Sequence, residues 1–256
     1  MTASRWITRV GAVLFAAAVV VLWQIAADAR LIAPAFFPSP LRTMAALGDI
    51  AQRGDLWGPL GATCLRMFYG WALASLIGVL LGASIALSAT AQAYLQPILQ
   101  FLRPLPASAI IPPAMLFLGL TDRMIVSVIA FGAIWPVLLG SYHGFRTVDP
   151  RLREVAAMLR IRTMPYLAKI ALPSALPDIF ASVRVSLAIA LILAIVTEMQ
   201  SGQNGLGWNI LMAQRSFRGA ELYAGVVILG MLGLVTNQLL LMAERRFLRW
   251  RTLTRS

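Results

Sequence analysis

The sequence predicts an all-α integral membrane protein with about six transmembrane helices. Of its 256 residues, 59% are hydrophobic and only 12% are charged, and the mean hydropathy is +0.78. A soluble domain has roughly 25% charged residues. The apolar residues also occur in separate runs, most of them near the about 20 residues that a helix needs to cross a bilayer. We therefore attribute the net charge of +12 to basic residues that orient the protein in a membrane. No nucleic-acid partner is expected.

Six apolar runs are the predicted spans, at residues 10–27, 65–87, 99–120, 124–141, 179–200 and 222–243. The first run is either a retained span or part of a cleaved signal peptide, because Ala27-Asp28-Ala29 resembles a cleavage site. Since signal h-regions have about 7–15 residues, its length favours a retained span. The third run contains Pro104, Pro106, Pro112 and Pro113. Either its backbone is irregular at membrane depth, or the prolines lie at the interface before a shorter span. Five or seven spans therefore stay open.

The segments between the spans differ in positive charge. Segments 1–9, 142–178 and 244–256 contain Arg5, Arg9, the six bases from Arg146 to Lys169, Arg245, Arg246, Arg249, Arg251 and Arg255. The segments on the other side contain Arg30, Arg42, Arg53, Arg123, Arg215 and Arg218. This bias predicts that both termini are cytoplasmic and that 28–64 and 201–221 are periplasmic. Arg66, Arg103 and Arg184 lie near span ends, where long side chains snorkel, and are left uncounted.

Small residues recur every fourth position in the second predicted span. They are Gly70, Ala74, Gly78, Gly82 and Ala86. Such ridges let helix backbones approach closely in lipid, where packing drives association. Ordinary abundance of glycine and alanine explains five successive matches less well, so we predict a helix-packing surface.

The counts of cysteine, histidine and lysine argue against several kinds of functional site. Cys64 is the only cysteine and His143 the only histidine, so disulfides and clustered Cys/His metal sites are not expected. Lys169 is the only lysine, and no G-x-x-x-x-G-K-[S/T] surrounds it. We therefore expect no cofactor and no enzymatic activity, and any ATP hydrolysis must come from a partner subunit.

A basic, polar segment from Glu154 to Pro177 separates the fourth and fifth predicted spans. Asp149-Pro150 predicts a helix start, with an acidic cap and a proline in the first turn. Met164-Pro165 is a candidate start for a second helix, which Pro173 and Pro177 are expected to limit. A short helix is also expected in the segment after the first span, from about Pro40 to Gln52.

The segment resembles the EAA loop of permease subunits in binding-protein-dependent ABC importers, where that loop docks on a separate ATPase. The resemblance rests on Glu154, Ala156, Ile170, Leu172, Pro173 and Pro177 in this order. It implies that Glu154 begins the docking helix and that Ala156 and Ala157 lie against the ATPase surface.

Other motifs are similar to permeases of the nitrate, sulfonate and taurine importer group. They are Phe37-Pro38-Ser39-Pro40, Val148-Asp149-Pro150, Glu198-Met199, Gly205-Leu206-Gly207 and Glu244-Arg245-Arg246. The resemblance implies the type I importer fold in a bacterial inner membrane. It also implies two permease copies, expected as a homodimer, with two cytoplasmic ATPase subunits and a periplasmic solute-binding protein. The expected solute is a small organic anion.

One position departs from the family pattern, because Arg160 stands where the family has glycine. Glycine serves where the backbone turns with positive φ, and another residue costs about 1 kcal/mol there. Three readings stay open: the turn is built differently, Arg160 contacts an acidic groove of the ATPase, or the subunit couples poorly.

Glu198 is the carboxylate found within or at the end of the predicted spans, and such residues are usually functional. We interpret it as part of an external gate, bonded to Arg215 or Arg218. The alternative is an interfacial glutamate that caps backbone amides. Attraction of an anion is assigned to Arg215, Arg218 or helix N-termini rather than to Glu198, because like charges repel.

The leading function is thus a permease subunit of an ATP-driven importer. An ion-gradient-driven transporter or channel is the first alternative, and a structural membrane subunit without transport is the second. Co-purification with an ATPase separates the first reading from both alternatives.

Overall fold

The computed structural model describes residues 2–30 and 32–248. Every regular element in these ranges is helical, which confirms the all-α class. The helices are α1 Thr2–Asp28, α2 Pro40–Arg53, α3 Trp57–Leu87, α4 Ala89–Leu102, α5 Ile111–Leu118, α6 Asp122–Arg146, α7 Pro150–Met158, α8 Thr163–Tyr166, α9 Leu172–Ser201, α10 Leu206–Arg215 and α11 Gly219–Phe247. A 3₁₀ turn, Ala107–Ile110, precedes α5, and a π turn, Leu167–Ala171, joins α8 to α9. Arg249, Arg251 and Arg255 of the tail lie outside the described residues.

Within residues 2–30 and 32–248, four helical stretches are long and apolar enough to cross a membrane. They are Trp57–Leu87, Asp122–Arg146, Thr163–Ser201 and Gly219–Phe247. The pair Ala89–Leu102 and Ala107–Leu118 passes the same test together, which makes five. The run 10–27 falls in α1, whose stretch Leu14–Asp28 is apolar but shorter. The count of six spans stays a prediction.

The proline-rich third run is broken inside its length. Its two helical parts are bent by 86° relative to each other. Pro104 and Pro106 lie between α4 and the 3₁₀ turn, and Pro112 and Pro113 fall at the start of α5. A proline in the first turn costs no hydrogen bond, because the amide it lacks has no helical partner there. The prolines therefore separate two helices rather than kink one.

The chain forms two compact units, and the first contains the described residues of 1–61 and 204–231. Ser39 caps α2 by accepting a hydrogen bond from the Arg42 amide at 3.3 Å, and Pro40 occupies the first turn. The Trp23 indole donates to the Pro38 carbonyl at 3.0 Å and lies 5.8 Å from the Tyr223 ring. These contacts fix the start of the expected short helix, which ends at Arg53.

The second unit contains the described residues of 62–203 and 232–256. In it, the small residues of α3 lie against α6. A Cβ added at Gly70 would lie 2.5 Å from Cγ2 of Ile129, and one added at Gly82 would lie 2.6 Å from the Leu138 carbonyl. A Cβ added at Gly78 would lie 2.9 Å from Cβ of Val137. Ala74 is fully buried and Ala86 is partly buried on the same core. The backbones of α3 and α6 approach closely because these side chains are small.

A second small-residue surface, which the sequence analysis missed, joins α6 to α9. A Cβ at Gly140 would lie 2.4 Å from Cβ of Ser182, and a Cβ at Gly144 would lie 3.0 Å from the Ala175 carbonyl oxygen. The Ser186 hydroxyl also donates to the Ala133 carbonyl across this contact, at 2.7 Å. Helix α6 is therefore packed on both sides, between α3 and α9.

Replacing Gly140 with leucine is expected to separate α6 from α9. The added side chain meets Ser182 and the Asp178 carbonyl, and overpacking of this kind typically costs about 1–3 kcal/mol. The midpoint of thermal unfolding in detergent should fall. Gly230→Leu is the matched control, because a Cβ there meets no atom within 4 Å. Equal midpoints for the two variants would contradict the close α6–α9 contact.

Candidate functional site

Helix α7 begins as its sequence predicts. The Asp149 carboxylate accepts a hydrogen bond from the Arg151 amide at 2.9 Å, and Pro150 stands in the first turn. The cap fixes the direction in which α7 leaves α6, after Val148, which is buried. The helix start predicted at Asp149-Pro150 is confirmed, whereas the expectation that Glu154 begins the helix is wrong, because Glu154 lies inside α7.

Arg160 ends α7 in the left-handed conformation, with φ of 49°. Its amide donates to the Ala157 carbonyl at 3.0 Å, and the next amide, of Ile161, donates to the Ala156 carbonyl at 2.9 Å. This pair of bonds is the Schellman motif, which normally has glycine at the left-handed position. The reading in which the turn is built differently is therefore wrong. Arg160 keeps a glycine-type turn at a cost of about 1 kcal/mol.

Arg160→Gly is expected to stabilise this turn relative to Arg160→Ala. Both changes remove the charge, but only glycine adopts positive φ without steric cost. We expect the Ile161 amide to exchange with solvent about fivefold more slowly in the glycine variant, which corresponds to about 1 kcal/mol. Equal exchange rates in the two variants would show that the turn carries no strain.

The second helix of the loop does not stop at the prolines. Helix α8 continues through the π turn into α9, so that one helical stretch runs from Thr163 to Ser201. The Leu172 amide donates to the Leu167 carbonyl, five residues back. The prediction that Pro173 and Pro177 limit this helix is wrong. Pro173 directly follows the wider π turn, which accommodates a proline that would clash in a regular α-helix, and Pro177 lies inside α9 itself. The second helix of the loop and the predicted fifth span are thus one continuous helix.

The loop residues differ in exposure. Ala156 is buried, whereas Glu154 and Ala157 are exposed, so the small size of Ala156 serves packing within this chain. Ile170 packs against the core and is half-buried, as are Pro173 and Pro177, while Leu172 is exposed.

An apolar patch covers the outward face of α7. It consists of Leu152, Val155, Met158 and Leu159, all exposed. The same loop has five exposed bases, namely Arg151, Arg153, Arg160, Arg162 and Lys169. A contiguous apolar surface rimmed by charges is typical of a protein-docking site. The apolar patch and these bases are complementary to an apolar groove with an acidic rim on a partner protein.

A charge cluster lies where α3, α6 and α9 meet, formed by Thr63, Arg66, Asp122 and Glu198. Glu198 is fully buried. The Thr63 hydroxyl lies 2.9 Å and 3.0 Å from its two carboxylate oxygens, and Nη1 of Arg66 donates to Oε1 at 3.1 Å. Nε of Arg66 also donates to Oδ1 of Asp122 at 2.7 Å. Asp122 is 71% exposed, so the cluster extends from the interior to the surface.

The cation against Glu198 differs from the expected one. The structure pairs Glu198 with Arg66, whose side chain is 9% exposed and does not snorkel. Arg218 instead pairs with Glu221 at 2.7 Å, and Arg215 is exposed. Arg66 lies four residues before Gly70, so it continues the buried ridge of α3. A buried arginine could have been predicted from that spacing, which the sequence analysis did not use.

Arg184, also left uncounted, forms an ion pair with Glu244. This pair joins α9 to the end of α11. Helix α9 is therefore held by one ion pair to α3 through Glu198 and by another to α11.

The motifs and the fold match known permeases. A model of the family "Binding-protein-dependent transport system inner membrane component" matches residues 74–249. A protein of Bacillus subtilis (strain 168) described as an aliphatic sulfonates transport permease, SsuC, is 30% identical over 238 residues, which is 93% of this chain and 86% of that protein. The bicarbonate transport system permease protein CmpB of Synechococcus elongatus is 29% identical over 199 residues, 77% of this chain and 71% of the relative.

Solved structures show the same fold. A chain of the MetNI methionine ABC transporter in an inward-facing conformation superposes with a TM-score of 0.56 at 21% identity, covering 75% of this chain and 92% of that one. A chain of an amino acid ABC transporter superposes with a TM-score of 0.62 at 16% identity, covering 79% and 97%. With the family match over residues 74–249, which includes the loop and Glu198, this chain belongs to the binding-protein-dependent transport system inner membrane components and is the transmembrane permease subunit of an ABC importer.

Proposed function

We propose that this permease carries a small organic anion of the sulfonate type. It works as a homodimer with two ATPase subunits and a periplasmic solute-binding protein. The names of the similar permeases support the solute class, because they refer to aliphatic sulfonates, bicarbonate and nitrate, which are all small anions.

The continuous helix from Thr163 to Ser201 is the observation that carries the mechanism. One end adjoins the apolar patch on α7, and the other end contains Glu198. When the ATPases close on the patch, α8 and α9 move together, because no flexible loop separates them. The movement reaches Glu198, which is bonded to Arg66 on α3. Coupling requires that ATP binding favours one arrangement over the other, since a ligand shifts states only by its differential affinity.

Glu198 then acts as a positioning residue of the external gate, held by Arg66 and Thr63. Breaking the Arg66–Glu198 contact separates α9 from α3 at that end. Arg215 and Arg218 remain candidates for attracting the anion. Both termini are placed in the cytoplasm, with residues 10–27 as the first span, because this orientation puts the basic loop on the side of the ATPases.

The ion-gradient alternative is less well supported. It needs an intramembrane carboxylate that is open to an ion pathway, whereas Glu198 is fully buried and bonded to Arg66 and Thr63. Membership of the family also leaves no support for a structural subunit without transport.

Uptake into proteoliposomes tests this function. The permease is reconstituted with its ATPase and solute-binding protein, and entry of labelled ethanesulfonate is measured. We expect uptake only when ATP is enclosed with the ATPase and the binding protein is present. Uptake driven by a proton or sodium gradient without ATP would contradict the proposal.

A further inference from the structure

A groove of about 240 Å³ lies between α4 and α6, next to the bend of the broken third run. Its α4 side contains Gln96, Gln100 and Arg103, which caps the end of α4, and its α6 side contains Trp135, Leu139 and Tyr142. Both sets have the spacing i, i+4, i+7, so each set lies on one face of its helix. One wall is thus cationic and rich in amides, and the other is aromatic and apolar.

The polar wall of the groove has hydrogen-bond donors that are available to a ligand. The guanidinium of Arg103 makes no hydrogen bond or ion pair with any residue in 2–30 or 32–248. The Gln96 carbonyl accepts from Gln92 at 3.1 Å, which leaves the amide nitrogen of Gln96 free to donate. No aspartate or glutamate is among the described residues that line the groove. The groove therefore attracts negative charge rather than positive charge.

The opposite wall has a different chemistry. The Trp135 ring packs edge-on against Phe131 at 5.6 Å, which fixes its orientation. The Tyr142 hydroxyl accepts a hydrogen bond from Nη1 of Arg146 at 2.9 Å, so its own proton is free to be donated. Arg146 also lies over the Tyr142 ring at 5.6 Å and adds positive charge near this end. Aliphatic and aromatic surface on this wall suits a hydrocarbon chain.

We propose that this groove binds the organic anion as it crosses the permease, an inference that rests on the function proposed above. Arg103 and the two glutamine amides hold the anionic head group, and Trp135 with Leu139 contacts the hydrocarbon part. Drug-sized ligand pockets have about 300–1,000 Å³. At about 240 Å³, the groove suits a short-chain anion. It selects organic sulfonates over nitrate and bicarbonate, which lack an apolar part.

The test measures initial uptake rates of nitrate, ethanesulfonate and butanesulfonate in proteoliposomes of neutral phosphatidylcholine, at saturating binding protein. Arg103→Gln is expected to lower both sulfonate rates about tenfold or more, because a charge-assisted hydrogen bond to the head group is lost. Arg103→Lys should retain part of the rate. Trp135→Ala should lower the butanesulfonate rate more than the nitrate rate. Arg42→Gln, which removes an exposed arginine of α2, is the control and should match the parent.

Each other outcome has a definite meaning. Parent-like sulfonate rates in Arg103→Gln would overturn the groove proposal while leaving the proposed function intact. A defect that appears only in vesicles containing phosphatidylglycerol would assign the groove to a lipid head group and overturn it as well. Failure of the parent complex to move any sulfonate would overturn the proposed solute class itself. Normal ATPase binding by Arg103→Gln, measured by co-purification, must accompany the expected result.

Discussion

Replacing Arg66 with methionine is expected to lower the free energy of unfolding by about 3–5 kcal/mol, because Glu198 then loses its cation while it stays buried. A carboxylate out of water needs both charge compensation and hydrogen bonds. The Thr63 hydroxyl supplies a bond but no charge. The loss should appear as a lower midpoint of thermal or denaturant unfolding in detergent.

A double-mutant cycle separates the pair from its surroundings. Glu198→Gln removes the buried negative charge and leaves Arg66 bonded to Asp122. The combined variant should therefore be more stable than Arg66→Met alone, since no uncompensated charge remains. Arg123→Met, at an exposed arginine of α6, is the matched control and should change stability by less than about 0.5 kcal/mol. Strict additivity of the two single changes would show that Arg66 and Glu198 do not interact.

Met158→Asp is expected to have the second large effect, on the coupling of this permease to the ATPase. Met158 is 84% exposed at the centre of the apolar patch, so the change leaves the packing of the permease unaltered. An aspartate there places an unpaired charge in the interface with the ATPase, and losses of about 2 kcal/mol or more are usual at the centre of an interface. ATP hydrolysis stimulated by the binding protein with its solute should fall about tenfold or more, and co-purification of the ATPase should weaken.

The control for this prediction is Met44→Asp on α2, which introduces the same charge at another exposed methionine. It should leave stimulated hydrolysis at the parent level. Ala156→Trp also interferes with coupling, but by a different cause, because Ala156 is buried and the larger ring displaces α7. Only Ala156→Trp is expected to lower the unfolding midpoint. Equal stimulation in Met158→Asp and Met44→Asp would remove the patch from the docking surface.

Features that depend on local chemistry could be predicted from the sequence. The start of α7 at Asp149-Pro150 and of α2 at Ser39-Pro40 follow from caps that act within one turn. The ridge on α3 was visible because its period matches one helix face. The corresponding contacts of α6 with α9 involve Gly140 and Ser182 on different helices, and no periodicity in one segment identifies the partner.

Features that depend on tertiary contacts were missed or assigned wrongly. The continuation of the helix past Pro173 depends on a π turn, for which the sequence contains no established signal. The sequence indicates that Glu198 is unusual, but the partners expected for it, Arg215 and Arg218, are nearby residues of the chain. Arg66 lies 132 positions away, and only the packing of α3 against α9 brings the two together.

Photo-crosslinking at the apolar patch tests the central claim, the docking of α7 on the ATPase, most directly. A benzophenone amino acid is placed at Met158 or at Leu116, which is 87% exposed on α5, and the complex is irradiated in membranes. We expect a crosslink to the ATPase subunit from position 158 and none from position 116. No ATPase crosslink from position 158, or equal yields from both positions, would contradict the docking of α7 on the ATPase.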